Sequence, residues 1–334
     1  MKSKDDGAAQ PPPVAANPTR ETHTYPRLQV PLFGTEYLDY ARRQLFTRHP
    51  DYLPTLVRLL DVHPGMTAVD AQCGSGFYTR LIASRMQGEG HVVGIDPDPA
   101  LLTHAQQATI IEGWDEILAL RLGHMTALPL PDGIADLVFA NSALWILPEA
   151  QRVPAVHEMW RVVRQGGRAL VAEPDGGLVH VYDPQRPELQ DLEDRQQVAF
   201  ERGILAMDGY DYQMGRKLPT IFQAAGFERV RVYPRLFVVA GCDVGPDPKQ
   251  GLLDRITEYQ QALSALTSDA PEARARREHR ATRLRAGGMT EEEITRHATL
   301  TIARLRELTE QPQRILGDTS VYLYGGLFCE GYRV

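Results

Sequence analysis

TAVDAQCGSGFYTRLI, residues Thr67 to Ile82, runs from a short apolar stretch through an acidic residue into a glycine-rich turn and on into helix-forming residues. The pattern predicts strand, turn and helix. Glycine has no Cβ, so backbone N–H groups at Gly74 and Gly76 can come close to a ligand seated at the helix start. A second apolar run, HVVGID (His91 to Asp96), ends on an acid 20 residues beyond Gly76. At that spacing a carboxylate accepts hydrogen bonds from the ribose hydroxyls of a nucleoside. A nicotinamide or flavin dinucleotide would need a third small residue where the helix packs on the strand, and that position is Thr79. Asp70 would also repel a pyrophosphate, whereas it attracts the ammonium of a methionine moiety.

Outward from this unit the α/β alternation continues. Pro99–Ala108 reads as a helix, Ala119–Gly123 and Ile134–Ala140 as strands, Glu149–Val163 as a helix closed by Gly166 and Gly167, and Arg168–Glu173 as a fifth strand. Strands alternating with helices imply a parallel sheet covered on both faces. Farther on, Gln190–Leu205 and Gly215–Ala225 are predicted helices, and Arg229–Val239 and Val321–Phe328 strands. Between those strands lies a helical insertion, about Pro248 to Gln311, in which Thr290 and Glu293 have capping-box spacing. Ahead of the core, apolar residues at helical spacing from Tyr37 to Leu60 predict two helices interrupted near Pro50. The expected organisation is a disordered tail over 1–24, a helical cap over 25–63, a core over 64–245, an insertion or lid over 246–315 and a last core strand over 316–334.

Three ordered stretches carry a family resemblance: VDAQCGSGFYTRLI, VVGIDPDPALL, and the block ALPLPDGIADLVFANSALWILPEAQRVPAVHEMWRVVRQGGRALVAEP that spans the fourth and fifth strands. Over about Pro64 to Pro174 the chain resembles class I S-adenosylmethionine-dependent methyltransferases of the UbiE-like, or type 11, family. The resemblance implies a Rossmann-like α/β sheet, mostly parallel with an antiparallel last strand and helices on both faces. It also implies S-adenosylmethionine as cofactor. By that resemblance Asp70, Gly74 and Gly76 hold the methionine end, Asp96 the ribose, and Pro97 packs near the adenine. Gln72 stands where the family usually has glycine and is itself a candidate contact. His124 stands where the family commonly has an acceptor for the adenine amino group, with Met125 supplying soft contact to the ring. Asn141 and Ser142 face the methionine portion and the acceptor. Tyr40 and Arg43, with Tyr37, on the leading helix are placed to close over the cofactor, Arg43 meeting its carboxylate.

Methyl transfer is an in-line displacement, so positioning and exclusion of water supply much of the rate and a dedicated base is optional. Catalytic candidates fall in EPDGGLVHVYDP, after the fifth strand, where sheet ends open onto the site: Glu173, His180 and Tyr182. The plainer alternatives are that Glu173 caps neighbouring amides and that His180 and Tyr182 form one face of an extra strand. Trp145, Tyr210, Tyr212 and Tyr322 are acceptor-pocket candidates, with core or surface positions as the alternative. Glu158 and Arg161, at i, i+3 on a helix, read as a structural pair, and the basic run from Ala273 to Arg285 as a solvated helix face.

The 334-residue chain has 43% hydrophobic residues and a net charge of −7. That charge speaks against a nucleic-acid partner, which needs clustered Lys and Arg. No apolar run approaches the length of a membrane span and the first residues lack a secretory signal, so a cytoplasmic protein is expected. Cys73, Cys242 and Cys329 have no metal or disulfide spacing, and no metal site is expected. The expected acceptor is a small molecule of the natural-product kind, methylated on oxygen, nitrogen or carbon, with a homodimer left open. Two other readings stay open: an inactive scaffold, motivated by Gln72 and His124, and a methyltransferase-fold enzyme of pericyclase or cyclase type that uses the cofactor only structurally.

Overall fold

The computed structural model describes residues 52–245 and 247–334. The tail over 1–24, the first leading helix and the candidates Tyr37, Tyr40 and Arg43 lie outside the described residues. The second leading helix is present as α1 (Tyr52–Leu60), which buries Tyr52, Leu56, Leu59 and Leu60 on one stripe.

The core follows the predicted alternation: β1 (Thr67–Ala71), α2 (Phe77–Arg85), β2 (His91–Asp96), α3 (Pro99–Glu112), β3 (Leu118–Leu122), β4 (Ala135–Asn141), α4 (Glu149–Val162) and β5 (Val163–Pro174). Strands β1 to β5 pair in parallel in the order β3-β2-β1-β4-β5. Strand β5 starts directly after α4, so Gly166 and Gly167 lie within the strand and do not close the helix. A short β6 (His180–Tyr182) and α5 (Pro187–Asp208) follow, then α6 (Leu218–Ala224) and the long β7 (Glu228–Ala240). The last strand, β8 (Val321–Tyr332), runs antiparallel to β5, β6 and β7 at once, as the family resemblance implied.

Side chains alternate across the sheet and build a core on each face. Val69, Val138, Ala140 and Val171 pack toward α4 and α6, while Leu137, Phe139, Leu170, Phe237 and Phe328 pack toward α1 and α2. The insertion folds as α7 (Pro248–Thr267), α8 (Pro271–Ala286) and α9 (Glu291–Glu310), and α9 begins with the predicted Thr290–Glu293 capping box. It rests on α5 through a small core of Leu192, Ala199, Leu284 and Met289. There the backbones nearly touch: a Cβ on Gly203 would lie 1.8 Å from the Arg283 carbonyl oxygen, and one on Gly287 1.7 Å from that of Ala199. The arginines of α8 serve this packing. Arg283 pairs with Asp208 at 2.8 Å, Arg280 lies over the Phe200 ring, and Arg277 donates to the Ala265 and Ser268 carbonyls.

A second attachment joins α9 to the sheet by buried ions. Arg304 donates to Asp318 at 2.7 Å and to Ser320 at 3.1 Å, while Arg186 donates to Asp183 at 3.1 Å. The Asp318 and Asp183 side chains are almost fully enclosed. Among the described residues no helix is long and apolar enough to cross a membrane, and no group of His, Cys, Asp and Glu could hold a metal ion.

Candidate active site

The carboxyl ends of β1, β2 and β4 converge on the glycine turn. Gln72 at φ 68°, Gly74 at φ 57° and Gly76 at φ 72° all adopt left-handed backbone, which favours glycine, so Gln72 carries the strain that glycine avoids. Space beside Gly74 is open, whereas a Cβ on Gly76 would press on Ala105. The Gln72 Oε1 is buried without a hydrogen-bond partner among the described residues, an acceptor aimed at whatever fills the turn.

Asp96 and the turn form one unit. Gly74 N–H donates to Asp96 Oδ2 at 2.8 Å and Asp98 N–H to Oδ1 at 2.9 Å. Burial raises the Asp96 pKa, opposed by these two amides. Asp70 is also buried and accepts the Thr79 hydroxyl at 2.6 Å. The residue that departs from the dinucleotide pattern therefore orients the acid that closes β1. Beneath the turn Arg80 donates to the Ser75 carbonyl at 2.8 Å and pairs with Glu112 at 3.0 Å, a support that nothing in the motif announced.

Pro97 is exposed beside the site. His124 differs from expectation in polarity. Its Nδ1 accepts from the Thr126 amide at 3.2 Å, which in the neutral ring places the proton on Nε2. Burial lowers the His124 pKa and keeps the ring neutral, so Nε2 is a donor and cannot accept from an adenine amino group. Met125 is 1% exposed and belongs to the core, so its side chain does not offer the expected ring contact.

At the end of β4, Asn141 is half-buried and Ser142 has φ 53°. The three catalytic candidates are not brought together there. Glu173 is fully buried and accepts from the amides of Ala143 and Leu144, each at 2.8 Å, and of Trp145 at 3.3 Å. It caps the chain leaving β4, and its committed oxygens correct the expectation of a proton acceptor for substrate. His180 and Tyr182 register with Leu323 and Val321, on the opposite face of β8 from Tyr322 and Tyr324, and both are exposed. The extra-strand alternative is the observed one.

Three of the four acceptor-pocket candidates do meet. Trp145 packs edge-on against Tyr210 at 5.5 Å and Tyr212 at 5.8 Å between ring centroids. Asp211, between the tyrosines, donates its amide to the Trp145 carbonyl at 2.7 Å and pairs with Arg152 at 3.0 Å. Tyr322 makes no ring contact with this cluster and lies against Arg304 of the insertion. Glu158 and Arg161 form the expected structural pair at 2.8 Å. The sequence reading missed Arg235, whose Nη1 donates to Asn141 Oδ1 at 3.2 Å. Its signal was available: in an alternating strand it shares a face with core residues Tyr233 and Phe237.

A parallel sheet with an antiparallel last strand, a strand-ending acid, a left-handed turn and a ribose-spaced acid are together the features of a class I S-adenosylmethionine-dependent methyltransferase domain, and this chain contains one. Residues 69–171 match the family described as Methyltransferase domain. Among curated relatives, an arsenite methyltransferase of Halobacterium salinarum is 33% identical over 110 residues, 33% of this chain and 27% of that protein. A demethylmenaquinone methyltransferase of Bacillus cereus is 27% identical over 212 residues, 61% of this chain and 87% of that protein. The matched part thus spans about a quarter of the first relative and most of the second. A solved phosphoethanolamine N-methyltransferase 2 from Haemonchus contortus, bound to S-adenosylhomocysteine, aligns at 14% identity over 92% of this chain and 59% of its own, with a TM-score of 0.48.

Proposed function

We propose that this enzyme methylates a small, partly apolar acceptor of the natural-product kind in the cytoplasm, within a pocket walled by aromatic side chains and covered by the α7–α9 insertion. The observation that carries the reading is the Gly74–Asp96 unit with the unpartnered Gln72 Oε1 beside it. In this reading Asp70, Gln72, Gly74 and Gly76 receive the methionine end of the cofactor. Asp96 takes the ribose hydroxyls, Pro97 and a donating His124 Nε2 border the adenine, and Asn141 and Ser142 face the sulfonium side. Trp145, Tyr210 and Tyr212 wall the acceptor.

The bound cofactor supplies an electrophilic methyl on a sulfonium, and the chain's own residues position and shield. Glu173 fixes the Ala143–Trp145 turn, from which the Trp145 ring would wall the acceptor. Held geometry contributes rate by removing the entropy of encounter, and a dry aromatic wall removes water that would solvate the nucleophile. With Glu173 accepting from backbone amides and His180 and Tyr182 exposed on β6, proton removal from a phenol, carboxylic acid or amine falls to solvent or to the acceptor itself. The insertion, between adjoining ends of β7 and β8, would set acceptor choice.

Calorimetric titration with S-adenosylmethionine and NADH tests the cofactor part, and tight NADH binding without S-adenosylmethionine binding would refute it. Incubation with labelled cofactor and fractionated extract of the source cells tests the acceptor. Label in a small metabolite supports the reading, whereas label confined to protein or RNA sinks it. Replacing residues 246–315 by a short turn should spare cofactor affinity and abolish turnover, and retained activity would remove the insertion's role.

A further inference from the structure

Arg235 is the anomaly among the partly or fully buried arginines. It enters from β7 on the face occupied by Tyr233 and Phe237, is half-buried, and spends one of its five N–H donors on Asn141 Oδ1. Its Nε is closed off from solvent and has no hydrogen-bond partner among the described residues. Elsewhere the fold gives a carboxylate to buried arginines: Arg80 has Glu112, Arg152 has Asp211, and Arg304 has Asp318. Among the described residues Arg235 has no such ion pair. Glu173 lies within electrostatic reach, but its oxygens are taken by the amides of residues 143–145. A half-buried guanidinium that spends one donor on a neutral amide and leaves its Nε unpartnered has donors to spare, so the site suits an anion that arrives with a ligand.

The surroundings indicate what the rest of that ligand is like. The guanidinium carbon lies 5.5 Å from the Tyr52 ring centroid and 5.8 Å from that of Phe237, and the Tyr212 phenol is among its electrostatic neighbours. Tyr52 and Phe237 are buried and packed edge-on to each other at 74°, so the cation lies against an apolar, aromatic surface. The direction of approach separates two anions that could enter. The cofactor's carboxylate would come from β1 and its turn, on one side of β4. Arg235 reaches Asn141, at the end of β4, from β7, which lies beyond β5 and β8 on the other side.

We propose that Arg235 binds an anionic oxygen group, a carboxylate or phosphate, on a partly apolar acceptor. This makes Arg235 the residue that selects charged over neutral acceptors, and it rests on the methyltransferase reading of the pocket. The fork of the guanidinium suits two oxygens at once, which a lysine cannot match.

The test is binding to the full chain loaded with S-adenosylhomocysteine, using benzoate and phenyl phosphate as probes and benzamide as the neutral control. In the wild type at least one anion should bind more tightly than benzamide. Arg235→Gln should weaken that anion on the order of tenfold to hundredfold, leave benzamide unchanged and leave S-adenosylhomocysteine affinity intact. Arg235→Lys should recover part of the loss, and whichever anion binds better identifies carboxylate or phosphate. Far-ultraviolet circular dichroism and a melting curve keep misfolding apart from lost contacts. The assignment is overturned if neither anion outbinds benzamide, if the variants bind anions as well as the wild type, or if S-adenosylhomocysteine affinity falls with anion affinity, which would give Arg235 to the cofactor carboxylate. Failure of the wild type to bind S-adenosylhomocysteine would instead remove the underlying functional reading.

Discussion

The Gly74 amide donates to the Asp96 carboxylate across 2.8 Å, so the turn after the first strand and the end of the second are locked before any ligand arrives. Asp96 has a double task, shaping the turn and offering its remaining lone pairs to the ribose. Asp96→Ala should therefore weaken S-adenosylmethionine binding by about 1.5–3 kcal/mol, the range for hydrogen bonds to a charged group. Calorimetry on a variant with native circular dichroism checks this, and an unchanged dissociation constant would move the ribose site elsewhere.

Gln72 holds a conformation that costs a residue with a Cβ about 1–2 kcal/mol. Gln72→Gly should relieve it, partly offset by the greater freedom of glycine in the unfolded chain, for a net gain of up to about 1 kcal/mol. Removing the orphaned Oε1 should at the same time lower cofactor affinity. Opposite movements of melting temperature and affinity are expected, and a tighter-binding variant would show that Gln72 obstructs the turn.

Burial pushes the Glu173 carboxyl up to about 7, against the pull of three backbone amides. In the unfolded chain it returns to its ordinary value near 4.5. Between those values the folded state binds the extra proton, so Glu173 favours the fold fully below pH 4.5 and loses that contribution as pH rises through about 7. The loss is on the order of 2–4 kcal/mol. Glu173→Gln should flatten stability against pH across this window, measured by urea unfolding. An unaltered slope would mean that Glu173 is ionised throughout.

Arg304 carries the insertion's ionic attachment to Asp318. Arg304→Met should leave that carboxylate buried without its main counter-charge and cost about 3–5 kcal/mol. The cost should be local. Hydrogen exchange should accelerate in α9 and α7 while β1 and β4 stay protected, and uniform acceleration would contradict separable stabilities.

The core from β1 to β5 was legible because burial on both faces writes continuous apolar runs, and because turn glycines and strand-ending acids punctuate them. Boundaries slipped where that punctuation has another use: Gly166 and Gly167 read as a helix stop, yet Gly167 lies in β5, where a Cβ would press on the Ala135 and Asp136 carbonyls. Individual roles were less legible, since they depend on partners distant in sequence. Glu173 is spent on amides some 30 residues upstream, and the proton position of His124 is decided by the Thr126 amide. Trp145 and the two tyrosines near position 211 were each ambiguous alone, and only folding puts their rings together. Arg235 was passed over because the strand was read for its length and not for which of its residues face inward.

Ala240 and Val321 are register partners, and just past them the Gly241 amide donates to the Ser320 carbonyl at 2.7 Å. The long excursion through α7, α8 and α9 thus leaves the sheet and returns to it at one point, like a drawer on a single rail. A segment whose ends already meet imposes no length requirement on the sheet. It can be exchanged for a longer or shorter piece without disturbing the strands that carry the glycine turn. The length of the insertion and the geometry of the glycine turn can therefore vary separately.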